Sequence, residues 1–172
     1  MESNKFERKY LPEFVYGGID GSVTTFAVVA GVIGASLSSS IILILGFANL
    51  FADGFSMAIS NYLSTKSRNE LSKNPKKNQI KTATVTFFSF FIIGFIPLLS
   101  FVAAAITQNQ MLVENQFTYS IALTGIALIV VGWFKGKITE RSKIKSSIET
   151  LLIGGVAALL AFIVGRMISM LV

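Results

Sequence analysis

The sequence contains neither cysteine nor histidine. The lack of cysteine excludes disulfides and thiolate metal sites, and the lack of histidine removes the commonest transition-metal ligand and the usual near-neutral proton relay. Carboxylate, thioether, amide, hydroxyl and backbone carbonyl groups remain as possible ligands. A metal site in this chain therefore has to be built from these weaker or harder donors.

Charged residues are also scarce, at 14% of 172 residues, whereas hydrophobic residues make up 52% and the mean hydropathy is +0.67. Such a chain has too little polar surface to coat a soluble globule. The net charge of +6 lies in short clusters between apolar runs, which does not make a basic face for nucleic acid. No nucleophile–base pair, phosphate loop or cofactor fingerprint appears. We predict a membrane protein that is not an enzyme, holds no permanent cofactor and binds no nucleic acid.

Five apolar runs are each close to the ~20 residues that a helix needs to cross a ~30 Å hydrocarbon core. We therefore expect an all-α integral membrane protein with a polar tail at 1–13, no signal peptide, and a single transmembrane domain at 14–172. Pro97 is expected to kink the third helix, and the Ser146 to Glu149 spacing to mark the start of the fifth. The predicted spans are about 14–35, 41–63, 82–106, 117–134 and 148–170.

The basic residues predict the orientation in the membrane. The tail, the link at 64–81 and the link at 135–145 hold every lysine and arginine except Arg166. By the positive-inside rule these segments are cytoplasmic, which places the N-terminus in the cytoplasm and the C-terminus outside. The same lysines are candidates for contact with anionic membrane lipid. The second helix is expected to continue past the membrane until Pro75, because nothing before that residue breaks a helix.

Polar side chains interrupt the first two apolar runs. A carboxylate in hydrocarbon costs roughly 3 kcal/mol on insertion scales, so Asp20 and Asp53 are expected to face a partner, water or an ion. Asp20 and Met57 each lie six residues inside the cytoplasmic end of their span, about 9 Å deep, so they are level. A spacing of four places Asn49, Asp53 and Met57 on one stripe of the second helix. Thr24 offers a hydroxyl on the matching stripe of the first.

Carboxylates with an amide and a thioether suit a divalent ion of intermediate softness that is held loosely. Ferrous iron and manganese fit this set as transported substrates, whereas zinc and copper usually draw histidine or cysteine. A buried carboxylate can also take up a proton, because burial disfavours its charged form. Competition between proton and metal for the same group is a physical route to antiport.

Each of these residues also has a structural alternative. Asp20 could be the N-cap of a helix that starts at Gly21. Asp53 and Asn49 could join neighbouring helices through hydrogen bonds, and Met57 could be a flexible filler of the core.

Long motifs resemble one known family. DGSVTTFAVVAGVIGA at 20–35 and ILGFANLFADGFSMAISNYLSTKSRNE at 44–70 are similar to the first two helices of the vacuolar iron transporter family. GFIPLL at 94–99 and LLIGGVAALLAFIVGR at 151–166 resemble its third and fifth helices. The resemblance implies a homodimer whose first helix lines a path at the two-fold axis. It also implies that Asp20 and Met57 match the aspartate and methionine that bind the ion, and that cations leave the cytosol in exchange for protons.

The chain departs from this family in the link between the second and third helices. Members with a demonstrated iron function often carry a glutamate-rich cytoplasmic domain there, whereas this link is short and basic, with Glu70 as its one acidic residue. The chain resembles a short form, expected in the inner membrane of a bacterium or the vacuolar membrane of a eukaryote. A proton or monovalent-cation carrier and a non-transporting scaffold on the same fold stay open as alternatives.

Overall fold

The fold is known from a computed structural model that describes residues 2–72 and 77–171, with side chains from residue 8 onward. This part of the chain is helical, and the described residues contain no strand. Pro75, expected to end the second helix, lies outside the described residues. The elements are α1 (Glu2–Gly34), α2 (Ser39–Leu71), α3 (Gln79–Phe95), a 3-10 turn (Ile96–Leu98), α4 (Leu99–Thr107), α5 (Gln110–Ile138) and α6 (Lys143–Ser169).

Five helical segments in the described residues are long and apolar enough to cross a membrane, which confirms the all-α, multi-pass membrane protein predicted from hydropathy. These segments are Arg8–Gly34, Ser39–Leu71, Gln79–Thr107, Gln110–Ile138 and Lys143–Ser169.

The helices extend beyond the apolar runs at their polar ends. α1 already begins at Glu2, within the predicted tail. α2 continues beyond its apolar run, as expected, but it ends at Leu71 with Ser72 as the C-cap, before the expected breaker. α5 begins at Gln110 because the Asn109 side chain caps it, accepting from the N–H of Met111 at 3.0 Å. The expected start of α6 at Ser146 was wrong, because Ser142 is the N-cap. Polar residues outside the apolar runs therefore lengthen these helices, and α1 continues through Pro12.

Pro97 divides the third span. Proline has no N–H to donate and its ring displaces the preceding turn, so the chain passes through a 3-10 turn between α3 and α4. The backbone carbonyl of Pro97 accepts a hydrogen bond of 2.6 Å from the Ser120 hydroxyl of α5. The third span therefore crosses as two segments that α5 holds together.

α1 is the central helix, packed against α2, α3, α5 and α6. Its approach to α3 is close because the facing positions are glycine. A Cβ at Gly94 would lie 2.8 Å from the carbonyl oxygen of Gly21, and one at Gly21 would overlap the Phe90 backbone. Small residues at such crossings let helix backbones touch in a membrane. Beside this crossing lies a core whose largest members are Ile42, Leu50, Phe90, Leu98 and Phe101.

The three basic segments meet at one end of the bundle. Arg8 at the start of the first span pairs with Glu140 in the α5–α6 link. Lys77 in the α2–α3 link pairs with Glu13 of α1 at 2.7 Å. At the other end the Gln116 amide of α5 donates to the Ser39 hydroxyl of α2 at 2.8 Å.

Candidate functional site

Asp20 lies in the middle of α1, half-buried, on a side of the helix that neighbouring helices only partly cover. The N-cap alternative is excluded, because the helix is continuous from Glu2 to Gly34. Since Gly17 and Gly21 face α3, Asp20 is directed away from that contact and lines a groove of about 500 Å³ between α1, α5 and α6. Tyr16, Ile19, Val23, Lys135 and Ile153 are among the other residues that line this groove, which we call the inner groove.

Asp53 of α2 is the second of the two aspartates that the sequence places inside apolar runs. It is half-buried and near enough to Asp20 for the two negative charges to interact. Within the described residues, neither carboxylate pairs with a lysine or arginine. Two ionised carboxylates in a medium of low dielectric repel each other, and a proton or a cation relieves that repulsion. This pair is therefore suited to bind one or the other.

Thr24 and Asn49 are joined to each other. The Thr24 hydroxyl donates to the carbonyl oxygen of Asp20 at 2.8 Å, as threonines inside helices often do. The Asn49 side-chain amide donates to the hydroxyls of Thr24 at 3.4 Å and Thr25 at 3.3 Å. These bonds join α2 to α1 one helical turn away from the two aspartates, toward the α1–α2 link. They agree with the interhelical role left open for Asn49, and its carbonyl oxygen remains as a possible ligand.

Met57 lies in a different groove from Asp20. Its side chain is 8% exposed and belongs to the core with Leu50 and Phe90. It also lines a second groove, of about 390 Å³, between the N-terminal part of α1 and the C-terminal part of α2, which we call the outer groove. Tyr16 and Pro12 line both grooves, so the two are adjacent. The fold thus brings Asp53 within electrostatic range of Asp20 and joins Thr24 to Asn49 by a hydrogen bond, whereas Met57 lies in the adjacent groove.

Glu13 is a buried acidic residue that the sequence interpretation assigned to the tail. Its side chain is 8% exposed, and one carboxylate oxygen accepts from the Lys77 ammonium at 2.7 Å. The other oxygen, Oε2, is buried without a hydrogen-bond partner in the described structure. Glu13 lies seven residues before Asp20, and this spacing, which keeps two residues on one helix face, was the signal in the sequence.

Acidic side chains do not gather in threes as possible metal ligands anywhere in the part of the chain that the structure describes. Ferrous iron and manganese prefer sites with several oxygen or nitrogen donors. Two carboxylates supply only part of such a shell, so water, backbone carbonyls or a second copy of the chain would have to supply the rest.

Five apolar helices that carry interacting carboxylates inside their spans define a multi-pass integral membrane protein. Comparison with family models identifies it further: residues 11–81 and 68–166 match the VIT family. The chain belongs to this family, as the motifs in its first two helices indicated.

Curated relatives match nearly the whole chain at low identity. A vacuolar iron transporter of Plasmodium berghei is 22% identical, with 98% of this chain and 85% of the relative covered. Vacuolar iron transporter 1 of Arabidopsis thaliana is 24% identical over 91% of this chain and 85% of its own. A vacuolar iron transporter of Centaurea cyanus is 26% identical, with 87% of this chain and 84% of the relative covered.

The alignments are longer than this chain. The match to the Plasmodium protein extends over 233 positions, whereas the chain has 172 residues, so the relative contains residues with no counterpart here. The family model matches the chain in two segments, which overlap at 68–81. This overlap contains the end of α2 and the α2–α3 link. The division of the match agrees with the short basic link as the place where the chain departs from the family.

Proposed function

We propose that the protein transports a divalent transition metal, ferrous iron or manganese, out of the cytosol in exchange for protons. The observation that carries the proposal is the interacting pair of Asp20 and Asp53 inside two membrane spans. Ionisable groups inside spans mark ion or proton pathways, because their burial is otherwise too costly. The relatives are named vacuolar iron transporters, which supports a transported metal ion and includes iron in the proposed substrate class.

The proposal includes an orientation of the bundle, which identifies the end that faces the cytosol. The N-terminal segment and the α2–α3 and α5–α6 links lie at one end of the bundle and carry nearly all the basic charge. The positive-inside rule assigns that end to the cytoplasm. Glu13, Asp20 and Asp53 then follow one another inward from the cytoplasmic face. In a eukaryotic cell the receiving side would be the vacuole lumen, and in a bacterium the space outside the inner membrane.

The ion site is completed, in this proposal, by a second copy of the chain packed along α1. Asp20 is half-buried within one copy, and Tyr16, one turn away on the same helix, is 57% exposed. An aspartate left partly open to lipid is unfavourable, and a second α1 covering this side would remove that exposure. Asp20 and Met57 from two copies would then surround one ion, with Asp53, Asn49 and Thr24 along its path.

Metal flux in proteoliposomes tests the assignment. We expect Asp20→Ala to abolish uptake of Mn²⁺ and Fe²⁺ by liposomes that contain a metal-quenched dye. Glu114→Ala is the matched control, because Glu114 is an exposed acid in α5 at the opposite end of the bundle. A pH dye inside the same liposomes should report proton movement against the metal. Undiminished flux in folded Asp20→Ala protein would refute the assignment.

Cross-linking tests the dimer. We expect Tyr16→Cys to form a disulfide-linked dimer in membranes under mild oxidation, because the two α1 helices would meet near this residue. Phe88→Cys is a suitable control, since Phe88 is 55% exposed but lies on α3, in a different groove. Equal cross-linking of the two variants would argue against α1 as the interface.

A proton or monovalent-cation carrier is the second candidate. It is favoured by one observation, namely that the described chain brings two acidic groups together and no third. Such a carrier would move protons or Na⁺ without divalent metal in the same liposomes. A third outcome, no ion flux at all and no effect of replacing both aspartates by asparagine except on stability, would indicate a non-transporting scaffold.

A further inference from the structure

The outer groove contains a buried carboxylate that the proposed transport site does not use. Glu13 lines this groove together with Met57, Asn61 and Arg68. With its side chain 8% exposed, Glu13 is more buried than Asp20 or Asp53. An acidic group so enclosed needs a compensating positive charge or a proton.

Only half of the Glu13 carboxylate has such a partner. One oxygen accepts from the Lys77 ammonium, and Oε2 is buried without a partner in the described structure. The backbone carbonyl of Glu13 is engaged separately, by the Ser89 hydroxyl at 3.4 Å. Lys77 therefore neutralises the charge but leaves one acceptor oxygen unsatisfied. A cation that contacts both oxygens would satisfy the group better.

The surrounding side chains offer further oxygen ligands. The Asn61 side-chain amide N–H donates to the Thr86 hydroxyl oxygen at 2.6 Å, so the ligand that Asn61 can offer is its carbonyl oxygen. Ser60 and Ser64 line the same groove with hydroxyls. Hard or intermediate divalent cations take such oxygen donors and keep part of their water shell. The groove, about 390 Å³, is large enough for a partly hydrated ion.

We propose that the outer groove is a second cation site, in which a divalent metal from the cytoplasm binds the Glu13 carboxylate by displacing the Lys77 ammonium. This inference rests on the proposed transport function and assigns its cytoplasmic entry. Glu13 lies seven residues from Asp20 on the same helix face, about 10 Å along the axis. Met57 lines the groove that contains Glu13 and would accept the ion on its way to the acidic pair.

In this arrangement the Lys77 ammonium competes with the metal ion for the Glu13 carboxylate. Its side chain is 30% exposed, so it can leave the carboxylate for solvent without burying a charge elsewhere. A divalent ion carries twice the charge of the ammonium and interacts more strongly with the same carboxylate. Arg68 lines the groove as well and adds a second positive charge that disfavours entry of metal. Lysine occupancy therefore lowers the apparent affinity for metal, and removal of Lys77 should raise it.

The test measures the Mn²⁺ concentration that gives half-maximal flux in proteoliposomes of the full chain. We expect Lys77→Gln to lower this concentration several-fold, and Glu13→Gln to raise it about tenfold, the size expected for losing a charge-assisted contact. The matched control is Lys66→Gln, since Lys66 is an exposed lysine that pairs with Glu70 at 3.9 Å. It removes the same charge outside the groove and should change the value less than twofold.

The double variant separates competition from general electrostatics. If Lys77 acts through Glu13, removing Lys77 in the Glu13→Gln background should have no further effect, which is the non-additivity of two groups in contact. Additive effects, or equal effects of Lys77→Gln and Lys66→Gln, would overturn the outer site.

Failure of the outer site and failure of the transport proposal are distinguishable. Flux abolished by Asp20→Ala but unchanged by Glu13→Gln and Lys77→Gln overturns the outer site alone. If the wild-type protein moves no metal, titration of the purified protein with Mn²⁺, followed by electron paramagnetic resonance, still tests whether the outer groove binds metal. Binding that is lost in Glu13→Gln but kept in Asp20→Ala supports the outer site, and binding equal in wild type and Glu13→Gln overturns it.

Discussion

Replacing Gly94 by alanine should separate α1 from α3 at the point where Asp20 is positioned. A Cβ at Gly94 would lie 2.8 Å from the Gly21 carbonyl oxygen and 2.9 Å from Cδ2 of Leu50, whereas ordinary contacts begin at 3.4 Å. The carbonyl is backbone and cannot rotate away, so the two helices have to move apart by about half an ångström. Overpacking of this kind typically costs about 1–3 kcal/mol.

A glycine elsewhere in the bundle isolates this steric effect. Gly155 of α6 has no heavy atom within 4 Å of the position where a Cβ would be placed. Alanine in place of glycine favours a helix by up to about 1 kcal/mol at either position. The contribution of helix propensity is similar in Gly94→Ala and Gly155→Ala. The difference between their free energies of unfolding therefore measures the cost of the steric overlap between α1 and α3.

Equilibrium unfolding by SDS in mixed micelles, followed by circular dichroism, is a suitable assay. We expect Gly94→Ala to be less stable than Gly155→Ala by about 1–3 kcal/mol. It should also lower metal flux, because Gly21 directly follows Asp20 on α1. Equal stability of the two variants would refute the backbone contact between α1 and α3. Reduced stability with normal flux would refute the idea that this contact positions Asp20.

Three further predictions concern the orientation, a helix end and the interhelical hydrogen bonds. The wild-type chain has no cysteine, so a single introduced cysteine can report the side of the membrane on which it lies. A membrane-impermeant maleimide applied to intact cells should label the exposed position Leu37→Cys at once and Thr139→Cys only after lysis. The reverse labelling pattern would invert the proposed topology. Gln108 ends α4 with a φ of 51°, so Gln108→Gly should raise the free energy of unfolding by roughly 1 kcal/mol, and an unchanged value in the SDS assay would contradict this strain. Asn49→Leu removes donations to Thr24 and Thr25 and should cost about 1 kcal/mol in the same assay; a stability equal to wild type would show that these long bonds contribute nothing.

The spans were predictable because hydropathy is a local property. Each apolar run is long enough to cross the hydrocarbon core whatever its neighbours are, so five helices followed from the sequence alone. The helix ends were less predictable, because they depend on capping. Asn109 and Ser142 start α5 and α6 outside the apolar runs, and an apolar count does not detect a cap.

The candidate site was only partly predictable. Asp20 and Asp53 stood out because a carboxylate is conspicuous in apolar sequence, and the fold brings these two near each other. The sequence also placed Asp20 and Met57 at one depth, which is a property of each helix alone. Only the packing of α2 against α1 decided that Met57 enters the core and lines the outer groove.

Glu13 shows most clearly how far the candidate site could be predicted from the sequence. By composition it belongs to a polar segment that mixes both charges, and only its seven-residue spacing from Asp20 sets it apart from a solvated residue. The tertiary structure buries it, because α1 continues through this segment and the α2–α3 link returns Lys77 to it from 64 residues away. The sequence by itself determined the membrane class, the five crossings and the acidic groups within them, since these depend on local polarity. The tertiary structure decided which of these groups meet, because contacts between distant segments depend on how the helices pack.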